Sequence, residues 1–128
     1  MTIDADGHMI HGSLSTPPKS KSGSEINKNS DTVILFIAGS GPTDRDGNQA
    51  QIKSNAYLLV AQALYPQGFA TLRYEKRGVG ASAEPKVNAK DLRFGHYVDD
   101  AVLWVEALSK QYKHVVLMGH SIGGLMSL

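Results

Sequence analysis

Hydrophobic positions in this chain fall into short blocks whose spacing changes along the sequence. Val33–Ile37, "VILFI", is a continuous apolar run between polar residues and "GSGP", which predicts a strand buried on both faces. Tyr57, Val60, Ala61 and Leu64 then recur at helical spacing, with Ser54 as the candidate cap and Pro66 and Gly68 as the stop. "FATLRY" (69–74) predicts a second strand, and "VNAKDLRF" (87–94) reads as irregular chain. Val98, Ala101, Val102, Val105 and Leu108 form the stripe of a second helix, and "HVVLMG" (114–119) predicts a third buried strand. Ahead of these, Met9–Leu14 follows the turn-like "DADG" as a short strand. Residues 16–31 are polar enough to be a solvated surface loop rather than a lysine-bearing binding tail.

Strand, helix, strand, helix, strand is the pattern of right-handed crossovers. The expected fold class is therefore α/β, with a mostly parallel sheet and crossover helices, and 128 residues give one domain spanning 1–128. No internal repeat interrupts this order.

Composition narrows the function by exclusion. Thirteen basic against twelve acidic residues leave a formal charge of +1 with no basic face, so nucleic acid is not an expected partner. The absence of cysteine excludes disulfides, thiolate nucleophiles and Cys-based zinc sites. "MTIDADGHMI" has neither the basic start nor the apolar run of a signal peptide, and no window approaches the ~20 apolar residues that span a bilayer. The expectation is a cytoplasmic, soluble protein without a membrane partner.

Chemistry concentrates in two loops. Gly119-His120-Ser121-Ile122-Gly123 fits G-x-S-x-G directly after a predicted strand, with Gly124 and Leu125 as the start of a helix. In that setting the serine sits on a tight strand-to-helix turn as a nucleophile, with the next amide, Ile122 N–H, as an oxyanion donor. A plain tight turn is the other reading. The second donor comes from the loop after the first central strand, "AGSGPTDRDGN" (38–48), where Gly39, Ser40 and Gly41 let backbone approach a carbonyl. Ser40 N–H is assigned to that role, with Gly41 as the alternative; the other reading is a Gly-rich turn shaped only by backbone demands.

Two other sites fail on spacing. Asp44, Asp46 and Asn48 start like a calcium loop, but Gln49 stands where glycine belongs and Asn55 where glutamate belongs. Gly78, Gly80 and Ala83 imitate a dinucleotide fingerprint, but Pro85 falls where the helix would open, and Lys76 and Arg77 intrude on the turn. No cofactor or metal is expected.

The motifs "AGSGPTDRDGN", "LRYEKRGVGAS" and "GHSIGG", in this order and spacing, resemble the α/β-hydrolase superfamily, in its bacterial esterase or serine aminopeptidase-like branch. The resemblance runs from about "HGSLSTP" to the last residue. It implies a carboxylesterase or related acyl hydrolase acting on a small-molecule ester, with Ser121 as nucleophile and Ser40 and Ile122 as oxyanion amides. Arg77, Gly78, Gly80 and Ser82 match the family's R-G-x-G-x-S turn, a structural feature, and Glu75 stands where members often have Asp. Asp44, Arg45 and Asp46 match a D-R-D loop, for which ion pairs that order the oxyanion loop are expected.

The family triad runs Ser, acid, His. Residues 122–128 contain neither an acid nor a histidine, and His8, His11, His96, His114 and His120 read as surface or packing residues. The chain is therefore expected to be the front part of a hydrolase, inactive or nearly so by itself. The alternative is a non-catalytic remnant, or half of a split enzyme that works by association. On either reading the expected partner is a complementary C-terminal chain or a second copy joined at the open edge of the "HVVLMG" strand.

Overall fold

The computed structural model describes residues 1–17, 29–39, 41–84, 92 and 94–120. Its elements are β1 (Thr2–Ala5), β2 (His8–Ser15), β3 (Thr32–Ile37), α1 (Ala56–Leu64), β4 (Ala70–Tyr74), α2 (Phe94–Ser109) and β5 (His114–Gly119). The strands form one sheet in the order β1-β2-β4-β3-β5. The core of the polar loop, 18–28, and most of the stretch read as irregular lie outside the described residues; Phe94, placed in that stretch, opens α2 instead.

The "VILFI" reading is met in full: Val33 to Ile37 are all buried. They are buried because each face of β3 has its own helix. Val33, Leu35 and Ile37 join Ala101, Trp104 and Leu108 of α2, whereas Ile34 and Phe36 join Ala61 of α1 with half-buried Tyr57, Leu64 and Phe69. Successive strand side chains point to opposite faces, so one apolar run supplies two cores. Burying each such side chain contributes about 1.5–3 kcal/mol.

β3 pairs in parallel with both β4 and β5. The N-terminal side is antiparallel: β2 pairs with β4, and β1 folds onto β2 as a hairpin. The sheet is thus mixed rather than mostly parallel, and β1 was not foreseen. Its turn, Asp6–Gly7, has positive φ at both residues (53° and 86°), the conformation whose twist suits a two-residue hairpin. Asp4 Oδ1 accepts the Gly7 N–H at 2.7 Å and closes that turn.

Both helices form where expected, with shifted faces. In α1 the N-cap is Asn55, not Ser54; Asn55 is left-handed (φ 54°) and makes no side-chain cap bond. Asn48 secures that end from outside by accepting the Asn55 N–H at 2.8 Å and donating to Asn55 Oδ1 at 2.6 Å. Val60 of the predicted stripe is 39 % exposed. In α2 the inward residues are Asp100, Ala101, Trp104 and Leu108, and Val102 is 49 % exposed. Trp104 decides this rotation. Its ring lies 5.4 Å from that of Tyr74 and over Gly12, where a Cβ would come within 3.2 Å of the indole Cη2.

β5 forms where predicted but is not buried: Val116, Leu117 and Met118 are 48 %, 36 % and 39 % exposed. It is an edge strand, paired with β3 alone among the described residues. Val115 alone packs against the core on the α2 side, and the other side chains of β5 stay exposed. Among the described residues no helix is long and apolar enough to cross a membrane.

The two assignments of the α2 face separate by mutation. Trp104→Ala is expected to lower the unfolding free energy by about 3–5 kcal/mol, and Val102→Glu to change it by no more than about 0.5 kcal/mol. Urea denaturation followed by circular dichroism measures both; a Val102 variant as damaged as the Trp104 variant would contradict this packing.

Candidate active site

Parallel pairing places the loops after β3, β4 and β5 at one end of the sheet. The register pairs Ile37 with Gly119, and the His120 N–H donates to the Ile37 carbonyl at 3.1 Å, one residue beyond β5. Tyr57, in the first turn of α1, reaches into the same corner. Its hydroxyl accepts the Gly39 N–H at 3.4 Å and lies 3.1 Å from His120 Nδ1. The Tyr57 ring stands edge-on to Phe36 and to His120, with centroids 6.3 and 6.0 Å apart. Gly39, Tyr57 and His120 line an open cavity of about 400 Å³, with Thr43, Gln49 and Ile52 on its other walls.

Ser121, Ile122 and Ser40, the predicted nucleophile and oxyanion residues, lie outside the described residues. Their chain neighbours His120 and Gly39 are the residues that Tyr57 joins. His120 is exposed and packs edge-on to Tyr57, in keeping with its reading as a surface or packing residue. Three of the other histidines stand away from this corner. His114 pairs with Thr32 at the far end of β3, His11 Nδ1 lies 3.3 Å from Thr2 Oγ1, and His8 faces Glu84 at 3.7 Å.

The D-R-D loop is held by the ion pairs expected of it, together with one Asp-capped turn. Arg45 donates from Nε (3.2 Å) and Nη2 (2.9 Å) to Glu75 Oε1, and from Nη1 to Ser13 Oγ at 2.7 Å. Asp46 pairs with Arg73. Asp44 Oδ1 accepts the N–H groups of Asp46 and Asn48, both at 2.9 Å. These carboxylates are thus already engaged, and Asn48 is tied to Asn55. Among the described residues no group of three His, Cys, Asp or Glu side chains could hold a metal ion.

The turn after β4 closes around Glu75. Its carboxylate takes Arg45 on one side and the Ala81 N–H at 3.1 Å on the other. Ser82 Oγ donates to the Glu75 carbonyl at 2.8 Å and accepts the His11 N–H at 2.9 Å, tying the turn to β2. Gly80 is required: its φ is +51°, and a Cβ there would lie 2.0 Å from Glu75 Oε2. Arg77 points away to α2, donating to Asp100 from Nε (3.1 Å) and Nη2 (2.6 Å). Burial pushes the Asp100 carboxyl above the usual carboxylate range, against the pull of Arg77. Its folded form thus binds a proton at higher pH than the unfolded chain does. By itself this group makes stability fall as pH rises from the ordinary Asp range through its raised value.

Lys76 is buried, and burial lowers its pKa. Its Nζ donates to the Gly39 carbonyl at 2.6 Å and sits 5.4 Å from the centroid of the Tyr97 ring. Sequence reading missed Asp100, and it saw Tyr57 only as a packing residue and Lys76 only as an obstacle to a nucleotide loop. Asp100 did carry a signal: of the adjacent acids Asp99 and Asp100, it is the one four residues before Trp104, on the apolar side of a helix.

A family model described as serine aminopeptidase, S33, matches residues 51–128. No curated protein matches the chain. Among solved structures, the chain is similar to Est1E from Butyrivibrio proteoclasticus with ferulic acid bound (TM-score 0.72, 23% identity, 98% of this chain and 44% of that one). It is also similar to proline iminopeptidase from Mycobacterium smegmatis (TM-score 0.69, 17% identity, 98% and 36%). An esterase from Exiguobacterium antarcticum gives a TM-score of 0.66 at 18% identity over 98% and 37%. The chain spans less than half the length of each of these structures.

The two arginine–carboxylate pairs that hold the turns differ in burial, and a mutation pair reads the difference. Asp100→Ala strands a buried guanidinium and is expected to cost about 3–5 kcal/mol. Arg45→Ala is expected to cost less, because the Arg45 side chain is 24% exposed and water replaces part of what it loses. Urea midpoints followed by Trp104 emission rank the two; the opposite order would mean that water reaches the Asp100 pair.

Proposed function

The chain belongs to the serine aminopeptidase S33 family of α/β-hydrolases, and from that premise we propose that it carries the nucleophile and oxyanion loop of a carboxylesterase-type serine hydrolase. Ser121 attacks the carbonyl of a small-molecule ester, and the N–H groups of Ser40 and Ile122 receive the negative charge on the carbonyl oxygen. The alcohol leaves with a proton, an acyl-serine ester remains, and water releases the acid and restores the serine. The base histidine and its acid are assigned to polypeptide outside residues 1–128, packed beside β5.

One observation carries this reading. The Ile37–Gly119 register brings Gly39 and His120, the chain neighbours of Ser40 and Ser121, to the same end of the sheet, where Tyr57 links them. A nucleophile and an oxyanion donor act on one carbonyl group, so they must converge in this way. Similarity to an esterase and to a proline iminopeptidase supports ester or related acyl chemistry.

Hydrolysis of p-nitrophenyl acetate by the full-length protein tests the proposal. Ser121→Ala is expected to reduce kcat by about 10⁴-fold or more; turnover that does not depend on this serine would refute it.

A second reading, association at the edge of β5, is favoured by the exposure of Val116, Leu117 and Met118. On this reading residues 1–128 alone sediment as dimers or larger species, and Val116→Lys shifts them to monomer. Monomers for both proteins would set the reading aside.

A further inference from the structure

We propose that Lys76 is a positioning residue for the oxyanion loop: its amino group grips the Gly39 carbonyl and thereby aims the N–H that follows that carbonyl, the Ser40 N–H, towards the substrate oxygen. The proposal rests on the reading of this loop given above.

Parallel pairing of Phe36 with Arg73 brings the residues after β4 beside those after β3, so Lys76 reaches Gly39 across 37 positions of sequence. The side chain is 6 % exposed, and among the described residues it makes no ion pair. The adjacent carboxylate, Glu75, is occupied by Arg45 and the Ala81 N–H. Burying an amino group away from any carboxylate is costly. Here its contacts are a 2.6 Å bond to one backbone carbonyl and the face of the Tyr97 ring.

The chemistry of that carbonyl explains why it is worth holding. A trans peptide is planar, with C=O and the following N–H pointing in opposite directions, so holding the oxygen on one side presents the N–H on the other. Gly39 has no side chain to restrict this peptide's rotation, and an outside grip supplies the restriction. Tyr57 holds the other side of the residue by accepting the Gly39 N–H. A donor on the carbonyl also polarises the peptide, which strengthens its N–H as a donor in turn. Lys76 touches no substrate in this scheme; it acts through Gly39.

The test is steady-state hydrolysis of p-nitrophenyl acetate by the full-length protein and its Lys76→Met and Lys76→Arg variants. Lys76→Met is expected to lower kcat by about 10- to 100-fold, less than or similar to the loss of one donor, with KM changed less than about threefold. Lys76→Arg, which still donates, is expected to restore most of kcat. A Lys76→Met protein with wild-type kcat, in a background where Ser121→Ala abolishes turnover, overturns the role of Lys76 and leaves the hydrolase reading intact. Hydrolysis that ignores Ser121 removes both. Should Lys76→Met not fold, the wild-type protein decides by NMR: the absence of a scalar coupling between Lys76 Nζ and the Gly39 carbonyl carbon overturns the proposal. Its presence, with activity retained by Lys76→Arg, supports it.

Discussion

β3 is covered on both faces and paired on both edges, and the rest of the molecule is arranged to make that possible. Five apolar residues in a row cannot face water, so one helix must lie on each side of the strand, and the chain must leave the sheet and return twice. Returning in parallel, it sets the ends of β3, β4 and β5 side by side. The candidate site is a consequence of this: backbone that has just left the central strands emerges at a single end of the sheet.

The loops at that edge are built from charged residues in unusually dry surroundings. Arg45 with Glu75, Arg73 with Asp46, and Arg77 with Asp100 each join segments far apart in sequence. Such pairs add little net stability, because desolvation offsets most of their attraction. What they supply is geometry. An arginine fork meets a carboxylate in few orientations, so each pair fixes how one turn sits against its neighbour. Glu75 shows the economy of the arrangement: one carboxylate orders the D-R-D loop through Arg45 and the following turn through Ala81, and only glycine at position 80 leaves room for it.

Much of this was legible in the residues. "VILFI" named the central strand because a run of five apolar residues between polar ones suits burial on both faces, and "FATLRY" named its neighbour although Thr71 and Arg73 are buried in it. The D-R-D loop was readable because ion pairs need particular residue types. The faces of the helices were less legible. Ser54 looks like a cap, yet Asn55 takes the position because the Asn48 side chain meets it. Val102 fits a helical stripe as well as Trp104 does, and only the space above Gly12 and beside Tyr74 chooses between them.

By itself the sequence determined the α/β class, the strand that anchors the sheet, and the ion-paired D-R-D loop, since these depend on local patterns and on what each residue type can do. Tertiary structure decided the rest. It folded "MTIDADG" back as a hairpin and brought Lys76 and Tyr57 to opposite sides of Gly39. Burial and contact depend on what the fold places nearby. A strand's composition does not say how many neighbours it will have, and a lysine's neighbours in sequence do not say which carbonyl it will reach.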